Sequence, residues 1–154
     1  MAALTEDTPR DHDFGVPALS SGGAAANAVI YYGAAVARDA AGNLKAADGT
    51  AADKVIGVMR GPASMKGQAK RAGVGIDNTG GAAGDIEIEL MADLVFSFEN
   101  SGTNPVDATH VGELVYFEDD NTVSSDNTDS KGGILDRLEG GRAYVLVGKV
   151  PSAL

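Results

Sequence analysis

The side chains that carry out chemistry are few in this chain and widely scattered. Histidine occurs only as His12 and His110, cysteine is absent, and tryptophan is absent. General acid–base and nucleophilic catalysis need groups of matched pKa converging in one pocket. His12 lies in a Thr-, Asp- and Pro-containing stretch and His110 in a polar segment after Pro105, so both read as surface residues. No Gly-x-Ser-x-Gly elbow occurs, which removes the usual setting of a hydrolase serine. Without cysteine there is no thiolate nucleophile, no disulfide and no thiolate metal site. The expectation is a protein that is not an enzyme and that needs no cofactor and no metal.

Three local clusters still call for a reading. Gly73-Val74-Gly75 and Gly80-Gly81-Ala82-Ala83-Gly84 resemble phosphate-cradling loops only in glycine content. Neither is followed by Lys-Ser/Thr or by a helix that would hold an anion, so both read as tight turns. The run Glu118-Asp119-Asp120-Asn121, with Asp126, Asn127 and Asp129, has oxygen ligands of the kind Ca²⁺ prefers. It lacks the sixth-position glycine and terminal glutamate of an EF-hand and reads as a solvated hairpin turn, with an opportunistic cation site as the alternative. Lys66, Lys70 and Arg71 form a basic patch in an acidic chain. With no aromatic residues between them, stacking on single-stranded nucleic acid is disfavoured. The patch reads as a solvated loop or as an orienting contact to an acidic protein surface.

The elements that position these groups read as short β-strands. Asp85 to Met91 alternates, with Ile86, Ile88 and Leu90 on one face and Glu87 and Glu89 on the other, the mark of a half-buried strand. Further strands are expected at 28–32, 35–37, 44–46, 55–59, 94–98, 114–117, 122–124, 134–138 and 143–147, with a turn at 39–43. Tyr31, Tyr32, Tyr116 and Tyr144 fall inside these strands. The rhythm lapses only over residues 62–75, which read as a short helix or a mobile loop, the glycine content favouring the loop. Many short strands at this spacing predict a small β-barrel or β-sandwich of antiparallel strands.

An internal echo accompanies them. Gly33-Ala34-Ala35-Val36-Ala37-Arg38-Asp39 followed by Leu44 matches Gly112-Glu113-Leu114-Val115-Tyr116-Phe117-Glu118 followed by Val123, at identical spacing. The first unit continues to Ile56-Gly57-Val58, and the second is expected to continue to Val147-Gly148-Lys149-Val150. The match reads either as chance similarity between two Gly-Val hairpins or as two related strand-turn-strand units packed into one barrel-like body, a structural and not a catalytic repetition.

Length and charge bound the rest. The 154 residues suffice for one ordinary domain. A formal net charge of -10 repels phosphate backbones and anionic bilayers, so neither nucleic acid nor membrane is an expected partner. The first residues carry Glu6, Asp7 and Pro9 and no apolar core of a secretory signal. No apolar run approaches the ~20 residues that span a bilayer. Residues 1–27 lack any period, and Pro9, Pro17 and Ser20-Ser21-Gly22-Gly23 argue against a helix or central strand. They read as an extended N-terminal arm before a β domain at 28–154, either disordered or ordered on a partner through Phe14, Val16 and Leu19.

Taken in order, Thr5-Glu6-Asp7-Thr8-Pro9-Arg10, Ile30-Tyr31-Tyr32-Gly33-Ala34-Ala35-Val36 with Gly42-Asn43-Leu44, Ile56-Gly57-Val58, residues 77–85, Phe98-Glu99-Asn100-Ser101, Val111-Gly112 and Tyr116 with residues 119–123 resemble the capsid decoration, stabilisation or cement proteins of tailed bacteriophages. The resemblance runs over nearly the whole chain; residues 65–71 are longer and more basic than the family pattern. It implies a virion protein, made in the bacterial cytoplasm, whose trimeric β-rich body binds the outside of the capsid and bridges major capsid protein subunits. It carries no catalytic residues. The expected capsid contacts are Arg10, Phe14, Val16 and Leu19 in the arm and Lys66, Lys70 and Arg71 in the basic loop. The alternative is a β-barrel of a phage tail or fibre that binds host glycans, disfavoured because such sites stack sugars on exposed aromatics.

Overall fold

A computed structural model describes residues 2–10, 18–64 and 73–148. The chain is nearly all β, as its alternation predicts. Its strands are β1 (Ala18–Gly23), β2 (Val29–Ile30), β3 (Ala35–Arg38), β4 (Leu44–Ala46), β5 (Lys54–Ser64), β6 (Ile76–Asp77), β7 (Glu87–Ala92), β8 (Leu94–Asn100), β9 (Leu114–Phe117), β10 (Thr122–Ser124), β11 (Ser130–Glu139) and β12 (Arg142–Val147). Among the described residues a 3-10 turn covers Ala108–His110.

The last five strands close a barrel in the order β8, β12, β11, β9, β10 and back to β8. Four of these pairings are antiparallel, and the closing one, β10 with β8, is parallel. Alternation aims Phe96 and Phe98 of β8, Val115 and Phe117 of β9, Leu135 of β11 and Ala143, Val145 and Val147 of β12 into the interior, where all are fully buried. Phe98 and Phe117 meet edge to face with ring centroids 4.8 Å apart, a favoured aromatic geometry. In β12 the strict alternation of buried and half-buried residues shows a strand with one face in the core.

The remaining strands repeat this plan. β1 pairs with β7, β7 with β5, β5 with β3 and β3 with β4, all antiparallel. A parallel bridge of Ala24 with Leu44 and the hydrogen bond from Ala25 N–H to Leu44 O at 2.8 Å close the ring. In the barrel the same closure is made by Asn100 opposite Val123 and Ser101 N–H donating to Val123 O at 2.9 Å. Registers coincide: Arg38 faces Leu44 as Phe117 faces Val123. Ala18 through Gly23 face Ala92 through Glu87 as Leu94 through Glu99 face Val147 through Arg142. Even the β-bulge recurs, after Met59 in one unit and after Leu135 in the other.

The echo in the sequence is therefore part of a duplicated five-strand unit. Its expected continuation needs correction, because the counterpart of Ile56-Gly57-Val58 is Gly132-Gly133-Ile134 of β11, and not Val147-Gly148 at the end of β12. The strand that follows the hairpin is the one that pairs back on it. The expected third segment also included Lys149 and Val150, which lie outside the described residues.

The units differ in one connection. β11 and β12 are joined by Gly140 and Gly141, with φ of 59° and 79°, the left-handed pair that a two-residue hairpin turn requires. The equivalent β5–β7 connection is a long excursion containing β6, which pairs with β2. The units meet where β5 and β11 run parallel, with Lys131 N–H donating to Asp53 O at 3.2 Å.

Three expectations are revised. Residues 18–23 form the sheet strand β1 and pair with β7, so the body begins well before residue 28. β1 lies at the end of the strand order, which is where a Ser- and Gly-rich strand preceded by Pro17 is tolerated. Tyr31 and Tyr32 fall in the turn after β2, not in a strand. Glu89, expected on a wet face of β7, is only 5% exposed, because Arg60 of the neighbouring β5 forms an ion pair with it.

Candidate functional site

The polar side chains that sequence reading treats as surface converge instead where residues 2–10 cross the junction of the two units. Thr8 N–H donates to Tyr32 O at 2.7 Å, and Tyr32 N–H donates to Asp7 Oδ1 at 2.7 Å. Leu4 N–H donates to Asp120 Oδ1 at 2.8 Å. These bonds tie the segment to the first unit at Tyr32 and to the second at Asp120, so it acts as a strap.

Arg10 is the strap's anchor. It is 7% exposed, and its guanidinium donates to Gly33 O from Nε at 3.1 Å and from Nη2 at 2.8 Å. Nη1 donates to Ser97 O at 2.8 Å and to Asn121 Oδ1 at 3.0 Å. The planar group lies over the Phe98 ring, 4.5 Å from its centroid, a cation–π contact. A rigid five-donor fork on an aromatic face is a task for arginine and not for lysine. Gly33 makes the approach possible: its φ is 87°, and a Cβ there would lie 1.7 Å from Thr8 O.

Beside the anchor is a recess of ≈ 450 Å³ lined by Leu4, Thr8, Arg10, Glu99, Asn121 and Arg142, among others. Arg142 donates from Nε to Ser97 Oγ at 2.6 Å, so two guanidinium groups converge on one serine. A second recess of ≈ 300 Å³ is lined by Asp7, Val29, Tyr31, Val74, Gly75, Ile76 and Asp77. The two recesses present guanidinium, carboxylate, amide and aromatic groups, a set of hydrogen-bond donors and acceptors beside one stacking face.

Asp120, in the β9–β10 turn under the strap, is the titratable group of this junction. It is 4% exposed, and burial pushes its carboxyl up to about 6, with the Asp119 charge adding to the rise and the Leu4 N–H bond and Arg10 opposing it. A carboxyl whose folded pKa exceeds its unfolded value near 3.8 binds its proton more tightly when folded. Its contribution to stability is therefore largest below about pH 4 and is lost as pH rises through about 6. For a shift of this size the ceiling is about 3 kcal/mol. Asp77, Asp107 and Asp126, whose carboxylates are held below 3.8 by threonine hydroxyls and backbone N–H groups, lose their contribution only at lower pH. Denaturant midpoints measured from about pH 4 to 7 should fall with rising pH in the native protein and stay flat in Asp120→Asn, which keeps the acceptor for Leu4. Parallel curves for the two would show that Asp120 does not titrate in this range.

The other expected sites fall as follows. Arg10, expected to face the capsid, is taken up inside the fold by the acceptors above. Leu19 lies in β1, opposite Met91. Phe14, Val16, Lys66, Lys70, Arg71 and His12 lie outside the described residues. His110 closes the 3-10 turn, where its Nδ1 accepts from Asp107 N–H at 3.0 Å. The acidic run is not a wet turn throughout: Asp120 is buried under the strap, Ser101 Oγ donates to Glu118 Oε2 at 3.0 Å, and Ser124 Oγ donates to Asp129 Oδ2 at 2.5 Å. Among the described residues no group of three or more His, Asp or Glu side chains is placed to hold a metal ion, and no helix is long and apolar enough to cross a membrane.

Sequence reading missed Ser97 and Arg142 as site residues and gave Asp120 and Asn121 only as part of a solvated turn or an opportunistic cation site. The one available signal was Gly33, a glycine two residues before a strand. No protein-family model, curated protein or solved structure matches the chain.

Proposed function

We propose that the protein is a structural component of a tailed-phage virion that binds the outside of the capsid and stabilises it by bridging major capsid protein subunits, acting as a homotrimer. The observation that carries this reading is the filled interior. The barrel core is occupied by Phe96, Phe98, Phe117 and Leu135, all fully buried, as in small barrels whose side chains leave no room for a ligand. Binding is thus left to the outer surface, and the strap adds a second way of locking two units into one rigid block. The ordered resemblance to cement proteins supplies the partner.

Each contact with the shell can be weak. Copies linked in a trimer engage at high effective concentration, which raises avidity by ~10²–10⁴-fold without new contacts. A ligand that binds the intact shell and not its ruptured form stabilises the shell by mass action.

The test mixes the purified protein with expanded shells that lack it. It should co-sediment to saturation, add density to the outer surface in a difference map and raise the temperature at which the shells rupture. Absence from purified virions together with no co-sedimentation would overturn the reading. Because Arg10 and β1 belong to the body, the arm contacts are tested by point changes. Phe14→Ala with Val16→Ala should weaken shell binding on the order of tenfold and leave the unfolding midpoint of the free protein unchanged.

One observation favours a second reading. Tyr31, outside any strand, lines a recess with Asp7 and Asp77, an aromatic flanked by carboxylates of the kind that binds a sugar ring. Under host-glycan binding, a glycan array gives hits that Tyr31→Ala abolishes; under the capsid reading it gives none.

A further inference from the structure

The duplication exposes an asymmetry between two equivalent corners. The first corner, Tyr32 to Ala35, precedes β3; the second, Val111 to Leu114, precedes β9. Both contain a left-handed glycine, Gly33 at φ 87° and Gly112 at φ 82°. Gly33 N–H donates to Met59 O at 3.1 Å and Met59 N–H to Ala34 O at 2.9 Å, just as Gly112 N–H donates to Leu135 O at 2.8 Å and Leu135 N–H to Glu113 O at 3.1 Å. The backbone is therefore the same, but the surroundings are not.

The first corner is covered. Gly33, Ala34 and Ala35 are buried, the strap lies on Tyr32, and Ala35 N–H donates to Asp120 O at 2.8 Å in the β9–β10 turn of the other unit. The second corner is bare: Val111 is 47% exposed, and Gly112 and Glu113 are exposed. The counterpart of the β9–β10 turn is the β3–β4 turn, in which Ala41 stands where Asp120 stands by the shared hairpin register. Ala40, Ala41 and Gly42 are exposed, and a Cβ on Gly42 would meet nothing within 4 Å. Asp39 Oδ1 accepts from Ala41 N–H and Asn43 N–H, each at 2.9 Å, so the turn projects in a fixed shape.

Each molecule thus offers one free turn and one bare corner, of the two kinds that the chain already joins once within itself. We infer that the corner at residues 111–114 is the docking surface for a second copy of this chain, whose β3–β4 turn, residues 39–43, seats there as the β9–β10 turn seats on Ala35. Arg38, exposed beside the turn, and Glu113, exposed on the corner, bring opposite charges to the joint. The turn and the corner are different surfaces, so the joint is heterologous and propagates into a closed ring or an open chain. Three copies would close a ring in which each contributes two units. This rests on the self-association proposed above and names its surface.

The chain has no cysteine, so introduced pairs report cleanly. Ala41→Cys combined with Glu113→Cys, oxidised at high micromolar protein, should give a reducible ladder ending at a covalent trimer. An equimolar mixture of the two single variants should stop at dimer, and a Thr103→Cys, Glu113→Cys control should stay monomeric. Val111→Asp, at an exposed position where folding tolerates change, should weaken self-association on the order of tenfold with an unchanged circular dichroism spectrum. If the native protein is oligomeric by light scattering and the 41/113 pair forms no intermolecular link, the surface is wrong and self-association stands. If the native protein is monomeric at the same concentration, the inference and the trimer both fall, while shell binding is still decided by co-sedimentation.

Discussion

Arg10→Ala is expected to cost the folded protein about 2–4 kcal/mol and to release the strap. The substitution removes both guanidinium donors from the buried Gly33 carbonyl and the shorter of two from Ser97 O, which keeps Arg142 Nη2 at 3.4 Å. An unsatisfied buried acceptor costs roughly 1–3 kcal/mol, and the lost stack on Phe98 adds about 1 kcal/mol. These terms overlap and do not add in full. Arg10→Lys keeps the charge but lacks the planar fork that reaches Gly33, Ser97 and Asn121 together, so it should recover less than half of the loss. Denaturant unfolding reads the energy, and limited proteolysis reads the strap, with cleavage in residues 2–10 expected to speed up in Arg10→Ala while the barrel stays intact. A midpoint within experimental error of the native one would mean that the strap contributes nothing to the fold.

That arginine also marks the boundary of what the sequence makes legible. Strands with one face in a core, such as β9 and β12, are visible because burial alternates along them. The β3–β4 hairpin is visible because Asp39 and Gly42 are turn residues. Arg10 shows no such local pattern: its acceptors on Ser97 and Asn121 are 87 and 111 residues away, and only the closed fold brings them together. The same holds for Asp120, whose acidic neighbours imply a wet turn until the strap covers it, and for Glu89, buried only because Arg60 lies on the adjacent strand. β1 is hidden for a different reason. Its Ser- and Gly-rich sequence has no alternation, and pairing with β7 alone makes it a strand. The duplication is legible over residues 33–44 and 112–123, where a left-handed glycine and one hairpin register fix the spacing. It fades beyond them because the excursion between β5 and β7 replaces a two-residue turn, and because β1 and β8 occupy equivalent positions in their pairings but do not share residue types.

If the two units are built alike, equivalent glycines should fail in the same way and by graded amounts. Gly57 and Gly133 occupy the same place, beside the bulge where the third strand of each unit meets its partner. A Cβ on Gly57 would lie 2.9 Å from Met91 O and 3.1 Å from Leu90 Cβ; on Gly133 it would lie 1.9 Å from Leu146 O and 3.0 Å from Val145 Cγ1. Met91 and Leu146 are themselves equivalent, opposite Val58 and Ile134. Neither glycine has a positive φ, so the contact alone sets the cost. At Gly57 a shift of a few tenths of an ångström relieves the overlap, and Gly57→Ala should cost about 1–2 kcal/mol. At Gly133 the carbonyl has to move by more than an ångström, which breaks the β11–β12 ladder that closes the barrel. Gly133→Ala should therefore cost more than about 3 kcal/mol, among the large single-residue effects. Urea midpoints of the two variants, measured side by side, test the order. Equal losses, or a greater loss at Gly57, would mean that β11 and β12 do not hold the barrel closed as tightly as their registers indicate.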